Sequence, residues 1–301
     1  MPAGVAPGQR LAGERGPDRV DSTPAMHDPA VWRVATFNIW NRQGPWDRRL
    51  PLIREQLAAL DADVIGLQEV LAFGAQPSQA DEIASGLGWH VHHAPAWQIG
   101  GGLTFGNAIL SPHRLLDPQC LALPTPPGID TRAAVFARVD APHGPLPVFV
   151  THLTVQFHLC HVRRAQVVAL ADHVARLAPI GEPPPVVMGD FNAVPESDEI
   201  RFLRGQTSLD GRSVYFADCW AVAATGPGHT YDRGNPYALR SREPSSRIDY
   251  VFVRGPDAHL RGEPLAARLA LDEPVDGVWP SDHFAVVAEI HAAPRGLADS
   301  A

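Results

Sequence analysis

Several polar residues that could take part in catalysis stand where short apolar runs end or begin. Asn38 follows Val-Ala-Thr-Phe, Asp190 follows Val-Val-Met-Gly, and His283 precedes Phe-Ala-Val-Val. The full set of such residues is Asn38, Glu69, His152, Asp190, Asn192, Asp282 and His283. Strand ends hold side chains in fixed positions, and the loops there bring together side chains that are distant in sequence. The pattern therefore predicts one site that holds carboxylates, amides and histidines.

This combination of side chains suits the hydrolysis of a phosphoester with the help of a hard divalent cation. Mg²⁺ takes oxygen ligands from one or two carboxylates and keeps several waters. Such a cation polarises a phosphoryl oxygen and stabilises the leaving oxygen. A further carboxylate can align or deprotonate the attacking water, and histidines can donate hydrogen bonds to the charged phosphate.

Each of these residues, taken alone, has a simpler structural interpretation. A carboxylate after a strand is more often a helix cap or a turn former, and the run Asp190-Phe191-Asn192 could be an Asx-turn. A single histidine such as His152 is more often a partly buried structural residue. The hypothesis of a catalytic site therefore rests on the joint occurrence of these residues in this order.

The intervening sequence predicts many short strands and few helices. Apolar residues at helical spacing predict long helices over 48–60 and 162–177 and short ones over 80–87 and 200–203. Strands are predicted over 31–37, 64–68, 89–93, 107–111, 133–139, 146–151, 185–188, 247–253 and 284–290. So many strands with so few helices between them indicate an α+β sandwich rather than a doubly wound parallel sheet.

The polar residues lie in blocks that resemble the signature motifs of the endonuclease/exonuclease/phosphatase superfamily. The blocks are Thr36-Phe37-Asn38, Leu67-Gln68-Glu69, Gly106-Asn107-Ala108-Ile109-Leu110-Ser111, Thr151-His152-Leu153, Gly189-Asp190-Phe191-Asn192, Arg247-Ile248-Asp249-Tyr250 and Ser281-Asp282-His283. The superfamily includes type I deoxyribonuclease, abasic-site endonucleases, neutral sphingomyelinases and deadenylases. The resemblance implies a four-layer α/β/β/α sandwich of two mainly antiparallel sheets flanked by helices.

The resemblance also implies a metal site. Glu69 matches the principal ligand of Mg²⁺, for which Mn²⁺ can substitute. Asn38 and Asp282 match residues on the metal or on its water shell. The implied cofactor is therefore a divalent cation held by oxygen ligands.

The implied catalytic residues are His152, Asp190, Asn192, Asp249 and His283. Asp190 matches the residue that activates the attacking water, and Asn192 matches the amide that holds Asp190 and the phosphate. His283 matches the histidine that contacts the phosphate, while Asp249 orients its ring and favours its cationic form. His152 matches the second histidine of the deoxyribonuclease and sphingomyelinase branches.

Two positions depart from the abasic-site endonucleases. Those enzymes tend to carry aspartate where this chain has Trp40, and tyrosine where it has His152. Both differences argue against a DNA-repair endonuclease.

Substrate contacts are expected from Asn107 and from an arginine-rich loop over 229–247. Asn107 lies in a block that carries a site residue in many members of the superfamily. The loop holds Arg233, Arg240 and Arg247, and arginine forks match the geometry of a phosphate. A solvated loop with surface arginines is an equally good interpretation.

Three tryptophans and two histidines are weaker candidates. Trp40, Trp46 and Trp97 could form a rim for an aromatic or lipid group, although core packing is the better interpretation of at least one of them. His158 and His161 precede the long helix, but a zinc site needs more ligands than the sequence offers there.

The composition is that of an ordinary globular chain with an acidic charge. The formal net charge is −8, and all 25 basic residues are arginine. An acidic chain argues against high-affinity, sequence-independent binding of nucleic acid, although it allows a local basic patch. Cys120, Cys160 and Cys219 are too scattered for a disulfide framework and are interpreted as small buried apolar residues, which fits a reducing cytoplasm.

The chain is expected to form a single catalytic domain over 31–292, between a disordered tail over 1–30 and a flexible tail over 293–301. No break in composition divides it, no stretch approaches the roughly 20 apolar residues that span a bilayer, and the N-terminus lacks the apolar segment of a signal peptide. We expect a cytoplasmic monomer with no stable membrane insertion and no protein partner.

The identity of the substrate remains open at this level. The leading hypothesis is a divalent-metal-dependent phosphodiesterase or phosphatase that acts on a small or medium phosphoester. A non-specific nuclease for DNA or RNA would need a continuous basic groove, and a sphingomyelinase-like lipid phosphodiesterase would need an exposed apolar rim. A catalytically silent binding scaffold is the last alternative, and the full set of site residues argues against it.

Overall fold

The computed structural model describes residues 30–181 and 183–293 of the 301-residue chain. The two predicted tails, 1–30 and 293–301, lie outside the described residues except for one residue each. The predicted catalytic domain, 31–292, is described apart from residue 182. Within the described ranges, no helix is long and apolar enough to cross a membrane.

The strands form two sheets of six. They are β1 (Val31–Asn38), β2 (Val64–Phe73), β3 (His90–Gly100), β4 (Leu103–Ser111), β5 (Leu115–Leu123), β6 (Arg132–Ala141), β7 (Gly144–His152), β8 (Val186–Asp190), β9 (Ala217–Asp218), β10 (Asp249–Val253), β11 (Pro264–Ala270) and β12 (Ala285–His291). The first sheet has the order β11-β12-β1-β2-β4-β3, and the second has the order β5-β6-β7-β8-β10-β9. Neighbouring strands are antiparallel except for two parallel pairs, β1 with β2 and β7 with β8.

Helices occupy the connections that cross from one strand to the next. They are α1 (Trp46–Ala59), α2 (Gln79–Ala84), α3 (Cys160–Leu177), α4 (Asp198–Leu203) and α5 (Cys219–Ala223). α2 begins with a capping box, in which Ser78 and Asp81 satisfy each other's backbone N–H groups. Both parallel strand pairs are bridged by a long helix, because strands that run the same way need a crossover connection.

The core between the two sheets is built from small and branched apolar residues. Val34, Ile109 and Val286 of the first sheet pack against Val150 and Met188 of the second. Gly66 leaves room for the second sheet, since an added Cβ would come within 2.7 Å of a Val150 methyl group. The sheets therefore face each other directly.

Two further cores cover the outer faces of the sheets. Ile53 and Leu57 of α1 pack on Phe37 and Leu67 of the first sheet. Val167 and Leu170 of α3 belong to the cluster that covers the second sheet. Helix, sheet, sheet and helix make four layers, and the predicted α/β/β/α sandwich is confirmed.

The sequence-based prediction was wrong in several details. It missed β5, which alternates exposed and buried residues and carries Pro118 where its pairing with β6 is irregular. It also missed the edge strand β11, whose alanines give a weak apolar pattern. Cys120 and Cys160 are exposed, so only Cys219 is the buried residue that was expected.

Candidate active site

Strand register brings three of the predicted site residues into one row. His152 ends β7 and pairs with Asp190 in the parallel strand β8. Asp190 in turn pairs with Asp249 in the antiparallel strand β10. Side chains at paired positions lie on the same face of a sheet, so three residues from distant parts of the chain become neighbours.

Several residues at the ends of these strands have unusual backbone conformations that direct their side chains into the candidate site. Glu69 has a φ of 62° and lies where the pairing of β2 with β4 is irregular. Gly189 has a φ of 143°, and a Cβ there would come within 1.9 Å of the Thr151 carbonyl oxygen. Asn192 has a φ of 48°. Left-handed backbone at non-glycine residues costs free energy and often marks functional positions.

The Asp190 carboxylate lies at the centre of the candidate site. Its Oδ1 accepts a hydrogen bond from the Asn192 backbone N–H at 2.9 Å, and its Oδ2 accepts one from Asn38 Nδ2 at 3.0 Å. Oδ2 also lies 3.5 Å from His152 Nε2 and 3.9 Å from His283 Nε2. Both histidine rings therefore point their Nε2 atoms at one carboxylate oxygen.

The pKa of Asp190 is raised to about 7, by burial first and then by the charge of Asp249. The charge of His283 and hydrogen bonds from Asn192 and Asn38 oppose this increase. A carboxylate with a pKa near neutrality is matched to the acceptance of a proton at neutral pH.

Asp249 and His283 form a buried hydrogen-bonded pair. Asp249 Oδ2 lies 2.9 Å from His283 Nδ1. Burial alone would lower the histidine pKa, but the charge and the hydrogen bond of Asp249, with help from Asp282 and Asp190, raise it well above its ordinary value. His283 is therefore a cation that presents Nε2–H to the site.

His152 lies on the other side of Asp190 and is electrostatically the opposite of His283. Its Nδ1 lies 3.3 Å from Nη1 of Arg132, and because a guanidinium can only donate, Nδ1 must accept. Burial, Arg132 and His283 together hold its pKa well below the ordinary value. His152 is therefore a neutral ring with its proton on Nε2, directed toward Asp190.

A second group of carboxylates and amides lies at the ends of β1 and β2. Glu69 Oε1 is 3.4 Å from Asn38 Nδ2, and Glu69 Oε2 accepts a hydrogen bond of 2.8 Å from Asn41. The pKa of Asp282 is raised to about 6 by burial, with the Glu69 charge contributing against the opposing effect of His283. Two carboxylates whose charges act on each other are a donor set suited to a hard cation.

Another group of possible ligand atoms is formed by Asp190, Asp249 and His283, which lie within 4.8 Å of one another. In this group, however, His283 Nδ1 and Asp249 Oδ2 already satisfy each other. Asp249 Oδ1 is buried without a hydrogen-bond partner. A cation at this group would have to displace the hydrogen bond between His283 Nδ1 and Asp249 Oδ2.

Arg49 ties together the loops that carry these carboxylates. Its buried guanidinium donates to the carbonyl oxygens of Pro280 at 2.8 Å and of Gln43 at 2.7 Å, and also to those of Ile39 and Asn41. It also lies over the rings of Trp40 and Trp46. Arg49 therefore joins the turn after Asn38 to the segment before Asp282.

The predicted substrate-binding residues are placed differently from one another. Asn107 Nδ2 donates to the Ala133 carbonyl at 2.9 Å, and its buried Oδ1 has no hydrogen-bond partner. Arg233 and Arg240 are exposed, and Arg240 lies over the ring of Tyr237. Arg247 is buried and bound through two hydrogen bonds of 2.9 Å to Asp218, so its fork already holds a carboxylate and is not free for a phosphate.

The structure also gives the positions of the weaker candidates. Trp46 is buried in the core under the first sheet, whereas Trp40 stacks on Tyr237 at 4.8 Å between ring centroids. Trp97 packs against Phe105. His158 and His161 are exposed, and they belong to no group of three metal-binding side chains among the described residues.

Sequence reasoning missed three residues that support the site. Arg132 and Arg49 are isolated arginines in sequence, and no spacing rule connects them to the residues that they contact. Asn41 stands three residues after Asn38, in a turn with a φ of 36°. Its short distance from a motif was the one available signal.

The similarity of the chain to known proteins extends over nearly the whole fold. The sequence profile of the Endonuclease/Exonuclease/phosphatase family matches residues 35–283. A crystal structure of an endonuclease/exonuclease/phosphatase from Beutenbergia cavernae has a TM-score of 0.67 and 24% identity, over 89% of this chain and 73% of that one. A second, from Bacteroides vulgatus, has a TM-score of 0.67 and 20% identity, over 87% and 99%. The human Nocturnin catalytic domain with bound sulfate anion has a TM-score of 0.60 and 20% identity, over 87% and 93%.

No curated protein is significantly similar to the chain. The solved structures named above are below 25% identity and therefore support the fold alone. The family profile covers most of the chain and spans the candidate site from Asn38 to His283. The chain belongs to the endonuclease/exonuclease/phosphatase family, whose members are phosphoester hydrolases.

Proposed function

We propose that the protein is a divalent-metal-dependent hydrolase of phosphoester bonds, a phosphodiesterase or phosphatase that uses Mg²⁺ or Mn²⁺. The observation that carries the proposal is the convergence on Asp190. One carboxylate oxygen lies within 4 Å of Asn38 Nδ2, His152 Nε2 and His283 Nε2. A carboxylate of raised pKa can accept a proton, and a cationic histidine beside it can stabilise a bound phosphate anion.

In this proposal Asp190 accepts the proton of the attacking water. Its raised pKa makes it a competent base near neutral pH, and the Asn192 N–H holds Oδ1 so that Oδ2 faces the site. The neutral His152 directs its Nε2–H toward Asp190. A neutral ring that already carries this proton does not take the proton of the attacking water, and it does not repel a metal cation.

His283 supplies positive charge to the phosphate. The buried carboxylate of Asp249 keeps its ring protonated and fixes its orientation through Nδ1. The Nε2–H that remains is a donor for a phosphoryl oxygen, whose charge grows as the transition state forms.

The metal would be held by Glu69 and Asp282, with Asn38 beside them. The donor set fits, because the mutual repulsion that contributes to the raised pKa of Asp282 would be relieved by a bound cation. When bound, Mg²⁺ or Mn²⁺ would polarise the phosphoryl group and stabilise the leaving oxygen. Asn38 Nδ2 links Glu69 to Asp190 and so holds the base next to this cluster.

The charge distribution favours a small or medium phosphoester over a long nucleic acid. Arg49 and Arg132 are buried, and Arg163 and Arg247 are paired with Glu199 and Asp218. Arg233 and Arg240 are exposed and could contact a nucleic acid, so hydrolysis of DNA or RNA is one alternative outcome of the activity screen below. Hydrolysis of a lipid phosphodiester is another. A silent binding scaffold would retain the fold without turnover.

The experiment is a metal-stripped activity screen. Protein treated exhaustively with EDTA is assayed with bis-p-nitrophenyl phosphate, plasmid DNA, RNA, sphingomyelin vesicles and inositol phosphates, with and without added Mg²⁺ or Mn²⁺. We expect hydrolysis of at least the p-nitrophenyl diester, and only after a cation is restored. Undiminished turnover in EDTA would reject the metal requirement, and no turnover on any substrate would leave the scaffold as the better account.

A matched pair of variants locates the metal. Glu69→Ala should need a much higher cation concentration for half-maximal activity, because a charged ligand is lost. The control is Glu55→Ala, which removes an exposed glutamate from α1. Equal metal titrations for the two variants would show that Glu69 is not a ligand.

A further inference from the structure

A cavity of about 290 Å³ opens beside the candidate active site. Its lining includes Phe157, Val194, Tyr231, Glu243, Pro244 and Ile248. Asn192, whose backbone N–H holds Asp190, belongs to its wall. The Tyr231 ring, also in the wall, lies 5.0 Å from the His283 ring. The cavity is therefore next to the position where a reacting phosphate must lie.

Most of the wall is apolar, and part of it is uncovered. Phe157 is 62% exposed and Val194 is 38% exposed, although both are large apolar side chains at a functional cleft. Apolar surface that remains open at a cleft with few polar groups is typical of a ligand pocket. At roughly 30 Å³ per water, the cavity has room for about ten waters, or a group of similar size.

The polar groups of the wall are satisfied by the protein, with one exception. Arg163 pairs with Glu199 at 3.0 Å and donates to the carbonyl oxygens of Thr154 and Gln156. The hydroxyls of the two wall serines, 197 and 246, donate to backbone carbonyls. Across the described ranges, the half-buried Glu243 carboxylate has no ion pair and no side-chain hydrogen bond, although the charge of His283 acts on it.

The cavity thus offers aromatic rings and one carboxylate that has no ion pair and no side-chain hydrogen bond among the described residues. This combination attracts a cation, because ring faces and a carboxylate both favour positive charge. It repels an anion, so a second phosphate of a polynucleotide would be disfavoured next to Glu243.

We infer that this cavity binds the organic group of the substrate, and that the group is a compact alcohol with a cationic head, such as a quaternary ammonium alcohol joined to the phosphate. The inference rests on the proposed phosphoesterase function and deepens it. Phosphate placed between His283 and Asn192 puts the esterified alcohol at the mouth of the cavity, with its cationic end toward Glu243.

Two substrates of the same shape and different charge test the inference. p-Nitrophenyl phosphocholine carries a trimethylammonium head, and 3,3-dimethylbutyl p-nitrophenyl phosphate replaces the nitrogen by carbon. Burial raises the pKa of Glu243 above the ordinary carboxyl value of about 4.3, against the opposing charge of His283, so the assay is run at about pH 8 to keep the carboxyl ionised. There we expect kcat/KM to favour the cationic ester at least tenfold, roughly the effect of one partly screened ion pair. Glu243→Gln keeps the shape of the side chain and should bring the ratio of the two values to about one.

The matched control is Glu196→Gln, which removes an exposed charge from the loop that carries Val194 and Ser197, at a residue that does not itself line the cavity. The ratio should stay at its wild-type value in this variant. A ratio near one in the wild type, or an unchanged ratio in Glu243→Gln, would overturn the inference while leaving the proposed function in place. Failure to hydrolyse either ester or bis-p-nitrophenyl phosphate, with the cation restored, would instead reject the proposed function and the inference with it.

Discussion

Replacement of Asp249 by asparagine tests the charge network of the active site. The side chain keeps its shape, and the amide oxygen can still accept from His283 Nδ1, where the carboxylate accepts at 2.9 Å. What is lost is the negative charge. A buried hydrogen bond to a charged group is worth about 1.5–3 kcal/mol, which corresponds to a decrease in kcat of about 10- to 150-fold.

The pH profile of kcat gives the more specific result. The Asp249 charge raises the pKa of both Asp190 and His283. Its removal must lower both values, so Asp190 loses its proton at lower pH and His283 also loses its proton at lower pH. The limb that needs an ionised Asp190 and the limb that needs a cationic His283 should therefore both move toward acid.

The assay is the hydrolysis of bis-p-nitrophenyl phosphate at saturating Mn²⁺ between about pH 5 and 9. The control is Asp218→Asn, which removes another buried carboxylate and breaks its ion pair with Arg247. That control should lose stability, because the breaking of a buried pair costs about 3–5 kcal/mol, but its pH profile should keep its position. A normal kcat in Asp249→Asn, or a shift of its profile toward alkali, would refute the reasoning.

Three further predictions concern the residues around this network. Arg132→Met should lower kcat roughly tenfold or more, the range for loss of a supporting contact. Nitrogen NMR of this variant should show that the proton of His152 is no longer confined to Nε2. An unchanged tautomer would contradict the assignment. Arg49→Met leaves several buried carbonyls without a donor and should lower the free energy of unfolding by about 3 kcal/mol or more, measured by urea titration. The increase in Tm on addition of Mg²⁺ should grow from pH 5 to pH 8, because protons compete with the metal for Asp282, whose pKa is about 6; an increase independent of pH would argue against Asp282 as a ligand.

Most of the fold could be predicted from periodicity and motif order. The long helices α1 and α3 and the buried strands show clear patterns, because each has one face or both faces in a core. β5 and β11 could not be recognised, since edge strands have little buried surface and their residues need no regular apolar spacing. The element bounds moved by a few residues where capping and pairing decide the ends, as at the start of β10.

The site residues that lie in recognisable motifs could be predicted from the sequence. The residues that reach the site only through contacts formed on folding could not. The predicted contact of Asp249 with His283 is present at 2.9 Å. Arg132 and Arg49 could not be assigned, because a single arginine in sequence carries no sign of the ring or carbonyls that it meets after folding. Arg247 shows the converse: its place in the arginine-rich loop suggested a substrate contact, but the fold supplies Asp218 as its partner.

The central claim is that Asp190 activates water for metal-dependent hydrolysis of a phosphoester. The most direct measurement is kcat for bis-p-nitrophenyl phosphate in wild-type protein and in Asp190→Asn, both stripped with EDTA and reloaded with Mn²⁺. We predict a decrease of at least about 10²-fold, the lower end of the range for loss of a general base, with the circular dichroism spectrum of the fold retained. Near-normal turnover in a folded Asp190→Asn protein would contradict the claim.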